Sequence, residues 1–422
     1  MVETQRSTIN RLETTRLIGP LVDRYWRELR EAKTKGEKVG WCSGPLFIFP
    51  FAMSMKCHFM AGYAAYCAGR GAADEVFEIA ESAGELRDTC SYHRLHMGMA
   101  AAVKDNIPVR EDVILPLPDI MIDGRACPEM SHYAEALHRR MGTRVVGIDI
   151  PPANSWKDVP QCERYVERQF REILIPTLEE ICQKPFDYDK MTEILTILKK
   201  VATIRNQCWE FFRKKPSPWS LWDYGVSIAP VFYMMGDPET IPYYEKLLAE
   251  LKDRAEKNIA SIEPERYRVY WDGWLPWAFL GIIIRNFYKY GALPICGRYP
   301  WEFFPHPETI EPEPDPVKGY VRQLYTHGMV VQNTPQQAKE FIVQKVEEYK
   351  LDALIMLSSR TCRAWNIGQQ DMVNYVEKKV GVPGILIDSD MVDSRFLSQA
   401  QVDTRINALF ELVDGRKKML RG

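Results

Sequence analysis

No apolar run in this 422-residue chain approaches the ~20 residues a membrane-crossing helix needs. The opening residues, MVETQRSTINRLETTR, lack the apolar core of a secretory leader, so the expected setting is the cytoplasm. Charge of one sign is also missing. Fifty-five Lys and Arg against 57 Asp and Glu leave a net charge of −2, which gives no electrostatic footing for nucleic acid or an anionic membrane. There is no G-x-x-x-x-G-K-[ST] phosphate loop. The ten cysteines contain no C-x-x-C pair, which removes the zinc-ribbon and ferredoxin spacings. In a cytoplasm they stay reduced, and any metal ligands among them come from far apart in sequence.

What is present reads as a folded α/β protein. The length suits two or three domains at roughly 100–200 residues each. Residues 5–36 carry Leu12, Leu17, Leu21, Tyr25 and Leu29 at helical spacing. Short apolar runs at 38–42, 113–122 and 144–150 alternate with helical patterns at 73–84 and 129–141. Residues 157–258 are mostly helical in pattern. Strand signals return at 266–272, 292–297, 353–358 and 384–389, with helices at 335–350, 368–380 and 399–414. The proline-rich acidic stretch 305–319 reads as a surface loop. The expected fold is α/β: two Rossmann- or flavodoxin-like lobes with parallel sheets, plus helical N-terminal and middle segments. The expected divisions are 1–36, 37–156 (first lobe), 157–265 (helical) and 266–422 (second lobe).

In open α/β sheets, ligands bind beyond the carboxyl ends of the strands. Cys42 ends the first strand run, Cys127 follows the DIMIDGRA exit, and Cys362 follows LIMLSS. Cys90 lies between two helical patterns of the first lobe. Cys90, Cys127 and Cys362 would meet between lobes. Three thiolates with one coordination position open suit a [4Fe–4S] cluster that does chemistry, whereas pure electron carriers use four. Arg94, Arg125, Arg360 and Arg363 neighbour these thiols in sequence, and a nearby cation favours the thiolate. The plainer reading of the spacing is three incidental buried cysteines.

The residues around these cysteines resemble the 2-hydroxyacyl-CoA dehydratase / benzoyl-CoA reductase family. Cys90-Ser91-Tyr92-His93-Arg94 with Gly98 matches its CSY-x-R…G pattern. Pro118-Asp119 leading to Cys127 matches a second motif. Arg360-Thr361-Cys362 followed by Gly368-Gln369-Gln370-Asp371-Met372 matches a third. DMVDSRFLSQAQ, from Asp390 to Gln401, and YRVYWDGWLPW, from Tyr267 to Trp277, complete five motifs in order. The resemblance implies a [4Fe–4S] cluster on Cys90, Cys127 and Cys362. It implies a dimer with a homologous cluster-bearing subunit or a second copy, and an iron–sulfur ATPase activator that delivers one low-potential electron. The substrate would be an acyl-CoA or aryl-CoA thioester, which either loses water or has its aromatic ring reduced. A double-cubane branch reduces small molecules instead. An electron-relay or scaffold subunit without its own substrate is the competing role.

Some positions depart from the pattern. Where dehydratase subunits carry V-G-W-S-(S/T)-S and Y-P-E-N, this chain has Val39-Gly40-Trp41-Cys42-Ser43-Gly44 and Phe59-Met60-Ala61-Gly62, without the glutamate. Leu357-Ser358-Ser359 replaces the usual H-x-N. No acid–base role is carried over; the missing glutamate argues against a standard dehydratase site, and the Gly368–Met372 ending of the third motif leans towards the reductase-like branch. FIFPFAMSMKCHFM reads as an acyl pocket wall or as a buried helix. Trp271, Trp274 and Trp277 read as an aromatic pocket or as core. Cys42 and Cys57 are extra ligands or packing. His93 and His96 are proton donors near Cys90 or plain helix residues.

Overall fold

The protein is described by a computed structural model that covers residues 7–43, 46–125, 127–153, 155–299, 306–326 and 335–419. Ten strands occur among the described residues: β1 (Thr8–Ile9), β2 (Val39–Ser43), β3 (Lys56–Phe59), β4 (Ile120–Gly124), β5 (Arg144–Ile148), β6 (Ile262–Glu263), β7 (Tyr267–Asp272), β8 (Ala292–Cys296), β9 (Ala353–Ser359) and β10 (Gly384–Ser389). They form two four-stranded parallel sheets, ordered β3-β2-β4-β5 and β10-β9-β7-β8, and a two-stranded antiparallel ribbon β1-β6. Counted within each sheet, both orders are the same: the second strand lies outside the first, and the third and fourth follow on the other side. Helices supply the crossovers, as parallel pairing demands. The central strands VGWCS, IMIDG and YRVYWD are buried along their whole length, as expected for sheets covered on both faces.

Each sheet reverses its strand order at one point, between β2 and β4 and between β7 and β9. A crevice opens beyond the carboxyl ends of the strands at such a point. Cys127 lies just after β4, and Cys362 just after β9. The pattern of the second half therefore delivers its cysteine to the position where sheets of this kind bind ligands.

Some elements differ from expectation. Residues 8–9 form a strand rather than helix, because they pair with Ile262–Glu263 some 250 positions away. Residues 1–6, which include the start of that expected helix, lie outside the described part, as does Gly44. Of the run 113–122 only 120–122 is strand, which continues to Gly124; Pro116 and Pro118 cannot donate to a ladder. The Phe- and Met-rich stretch is not one helix, and Phe51, Ser54, Met55 and Lys56 line a surface cavity. The stretch is a short helix, Ile48–Ala52, followed by β3 and the Met60–Gly69 helix, all largely buried. The acidic stretch 305–319 contains a short turn of helix, and its end is taken up by the Pro316–Thr326 helix; residue 305 is not described.

Candidate metal centre

Each of the three candidate ligand cysteines sits immediately before a helix. Cys90 heads Ser91–Asp105, Cys127 heads Pro128–Met141 and Cys362 heads the single turn Arg363–Asn366. The first N–H groups of a helix have no partner inside it and carry its positive dipole end. Here they point at sulfur. The N–H groups of His93 and Tyr92 favour the Cys90 thiolate, those of Met130 and Glu129 favour that of Cys127, and that of Trp365 favours that of Cys362. None closes into a full capping hydrogen bond.

Burial nevertheless dominates. It raises the Cys90 thiol well above the ordinary range, helped by the neighbouring Cys362. It pushes the Cys362 thiol up to about 12, with Cys127 adding to the rise and the Trp274 indole opposing it. Cys127 is raised by burial as well. Cys90 thus feels the charge of Cys362, and Cys362 that of Cys127, so each of these two thiols has another of the three in its electrostatic neighbourhood. Without metal they keep their protons, and a metal would displace them.

The motifs around the cysteines are the ties that hold this place together. Thr361 Oγ1 accepts the Ser91 backbone N–H at 3.1 Å, joining the Cys362 turn to the Cys90 helix directly. Asp390 accepts from Thr361 Oγ1, from Ser359 Oγ at 3.3 Å and from the N–H groups of Val392 and Asp393, each at 3.0 Å. Asp393 takes the Arg94 guanidinium at 2.7 Å with both side chains fully buried, and Arg395 as well. The Trp277 indole donates to the Tyr92 hydroxyl at 3.0 Å. At the end of β7, Asp272 accepts from Arg298, from Trp365 Nε1 at 3.1 Å and from Gln369 Nε2 at 3.3 Å. Gln369 also donates to the Leu357 carbonyl at 3.0 Å.

Other sequence expectations fare differently. The arginines do not set the thiol chemistry. Arg94 is engaged by Glu81 and Asp393, Arg363 lies 3.8 Å from Asp88, and Arg360 is exposed; backbone N–H groups and one indole do the work instead. His93 and His96 are buried, and burial lowers each to about 3, so neither offers an imidazolium at neutral pH. Cys42 and Cys57 are hydrogen-bonded to each other, with Tyr25 donating to the Cys57 carbonyl. Trp271 is core, packed edge-on against Trp222. Trp274 and Trp277 are partly exposed and border the site beside Tyr92.

Sequence reasoning passed over two groups. Ser43 donates to Asp123 at 2.6 Å across the ends of β2 and β4, and burial raises that carboxyl. Glu129 follows Cys127 by two residues and is raised by burial too. A carboxylate oxygen of Glu129, a ring nitrogen of His93 and the Cys90 sulfur lie within 4.8 Å of one another. His93 Nε2 is buried and unpartnered among the described residues. Soft thiols, one buried and two partly exposed, each backed by a helix N-terminus, fit an anionic iron–sulfur cluster.

The model of the family "2-hydroxyglutaryl-CoA dehydratase, D-component" matches residues 52–413. The (R)-phenyllactyl-CoA dehydratase alpha subunit of Clostridium sporogenes is 27% identical over 397 residues, covering 92% of each chain. A benzoyl-CoA reductase subunit of Thauera aromatica is 26% identical, covering 80% of this chain and 79% of its own. The lactoyl-CoA dehydratase alpha subunit of Anaerotignum propionicum is 26% identical, covering 92% and 93%.

Proposed function

The chain belongs to the 2-hydroxyglutaryl-CoA dehydratase D-component family and is an enzyme subunit of the 2-hydroxyacyl-CoA dehydratase / benzoyl-CoA reductase type, and on that premise we propose that it holds one [4Fe–4S] cluster on Cys90, Cys127 and Cys362. Its reaction is the one-electron, low-potential reduction of a CoA thioester, acyl or aryl. The observation that supports the reading is that the three thiols each head their own helix, with Cys90 sensing Cys362 and Cys362 sensing Cys127. When bound, such a cluster stores an electron at low potential and offers one iron to an oxygen ligand.

The chain's own residues have definable tasks. Helix N–H groups offset the charge of thiolates where water is scarce. The indole N–H of Trp274 faces the Cys362 sulfur, and hydrogen bonds to ligand sulfurs tune cluster potential. Thr361, Asp390 and the Arg94–Asp393 pair fix the separation of Cys90 from Cys362. We read residues 37–156 and 266–422 as two flavodoxin-like lobes that share this site, with 157–265 as the helical segment between them and 1–36 as the N-terminal one. The chain has no phosphate loop, so energy enters through an iron–sulfur ATPase activator. The relatives are named as subunits, which supports pairing with a related cluster-bearing subunit or a second copy. No described helix is long and apolar enough to cross a membrane.

A second reading, an electron relay without its own substrate, draws on the neutral His93 and His96, which leave no imidazolium beside the cluster. One experiment separates the two. The chain is purified anaerobically, loaded, reduced, and its EPR spectrum recorded with and without a CoA thioester. About four irons per chain and a spectrum that changes with thioester support the lead reading. The same iron with an unchanged spectrum supports the relay, and no iron removes both.

A further inference from the structure

Two helices that pack against each other bring three unlike donors together. Cys90 and His93 stand three residues apart at the start of the Ser91–Asp105 helix, so they are neighbours on it. Glu129 and Tyr133 stand four apart on the Pro128–Met141 helix and share a face. The His93 ring lies flat on Tyr133, with centroids 4.4 Å apart, which holds the imidazole beside Glu129. The Cys90 sulfur, a His93 ring nitrogen and a Glu129 carboxylate oxygen then lie within 4.8 Å of one another.

That spacing suits one ion. Around a tetrahedral zinc, bonds of about 2.3 Å to sulfur and about 2.0–2.2 Å to nitrogen and oxygen set neighbouring donors roughly 3.4–3.6 Å apart. The same spacing is too close for ligands on two corners of a cube. A second observation points to a bound partner. His93 is only 6% exposed, and its Nε2 is unpartnered among the described residues. Buried polar atoms are nearly always satisfied, so a ring nitrogen left over in this residue marks a site completed by something bound there. The ordinary role of a first-turn carboxylate, complementing the helix dipole, asks for neither an imidazole nor a thiol beside it. Nor is Glu129 taken up by a cation: Arg363, whose charge acts on it, lies 3.8 Å from Asp88.

We propose that Cys90, His93 and Glu129 form a mononuclear site for a divalent ion of the zinc class, with water in the fourth position, in the chain that carries no cluster. A thiolate and an imidazole together select zinc over magnesium or calcium, which take oxygen donors. Binding forms one metal–sulfur, one metal–nitrogen and one metal–oxygen bond and releases the Cys90 thiol proton to solvent; no electron moves. The ion site stands without any cluster. Its consequence rests on the cluster reading above: both metal centres need the Cys90 sulfur, so zinc and cluster exclude each other, and zinc holds the chain in a form that cannot be loaded.

The full chain, purified anaerobically and free of metal, is titrated with Co2+, which takes the place of zinc and reports its ligands by absorption. The wild type is expected to bind about one cobalt per chain, with tetrahedral d–d bands and a thiolate-to-cobalt band. Cys90→Ser is expected to lose the thiolate band. His93→Ala and Glu129→Ala should each weaken cobalt binding by about 100-fold or more, the upper end of what an outer hydrogen-bond partner is worth. Cys127→Ala should keep both bands. Glu129 is partly exposed, so its variant decides the matter should loss of the buried His93 ring unfold the chain. No thiolate band in the wild type overturns the proposal. So does cobalt held fully by Glu129→Ala but lost from Cys127→Ala and Cys362→Ala, because the three thiols alone would then hold it. Iron loading is measured last, with and without an equivalent of zinc. Zinc should block loading of the wild type but not of Glu129→Ala, and equal loading of the wild type in both conditions overturns the exclusion. A wild type that takes no iron even without zinc removes the cluster reading and leaves the cobalt result standing.

Discussion

Thr361 is a small residue with two commitments, and both concern the thiol next to it. Its Oγ1 donates to Asp390 and accepts the Ser91 N–H. Thr361→Val keeps the shape and removes both bonds, leaving a buried donor and a weakened carboxylate acceptor. Each buried polar group left unmatched costs about 1–3 kcal/mol. Urea unfolding should therefore show a loss of that size or somewhat more, and iron retention should fall, since Cys362 is no longer tied to the Cys90 helix. An unchanged urea midpoint with full iron would mean that Thr361 does not join the two parts. At this scale the sequence was most legible for cysteine. Thiols have few chemical roles, and three of them lay at strand or helix boundaries with motifs around them. Glu129 was invisible for the opposite reason. A glutamate in a first helical turn is among the most ordinary features a helix has, and only the fold brings it within 4.8 Å of the Cys90 sulfur.

The helix that Cys90 heads is positioned by a close crossing. At Gly98, a Cβ would stand 2.2 Å from the Val76 carbonyl oxygen of the Ala73–Ser82 helix. Gly98→Ala gains helix propensity but forces the two helices apart, and overpacking of this kind typically costs about 1–3 kcal/mol. The expected outcome is a lower melting temperature and a reduced share of chains that load iron, although the substitution touches no sulfur. A gain in stability would mean that the helices separate freely. The motif glycine was legible as a letter; its reason required the neighbouring helix. Strands β9 and β10 were readable because they are unbroken apolar runs between turn signals. Strand β3 was not: KCHF opens on a lysine and continues a Phe- and Met-rich run, so nothing in its period separates it from helix. Strand β1 depends wholly on β6, and no local pattern encodes such a partner.

Across the whole molecule, the buried Arg94–Asp393 pair ties the first sheet's helices to the segment after β10. Burial pushes the Asp393 carboxyl up, but hydrogen bonds from Arg395 and Arg94 outweigh it and leave the group below its ordinary value. A carboxyl lowered in the folded state stabilises fully above its unfolded pKa, near 4, and that contribution is lost as pH falls through the folded value. Asp393→Asn leaves the buried Arg94 charge with the partly exposed Glu81 as its carboxylate partner, a loss of about 1–3 kcal/mol at neutral pH. In urea titrations the gap between wild type and variant should narrow as pH falls below about 4; a gap that stays constant to about pH 2.5 would contradict the role given to the pair. The α/β class and the doubled parallel sheets were foreseeable from alternating runs. The proposed convergence of Cys90, Cys127 and Cys362 rests on the motif resemblance, because spacings of 37 and 235 residues carry no geometric signal of their own.

The most direct measurement is iron and acid-labile sulfide per chain after anaerobic loading, in the wild type and in Cys90→Ala, Cys127→Ala, Cys362→Ala and the control Cys42→Ser. The account predicts about four irons in the wild type and in Cys42→Ser, and a marked loss in each of the other three without loss of helix content. Full iron in any one of those three, or loss of iron in Cys42→Ser, would contradict it.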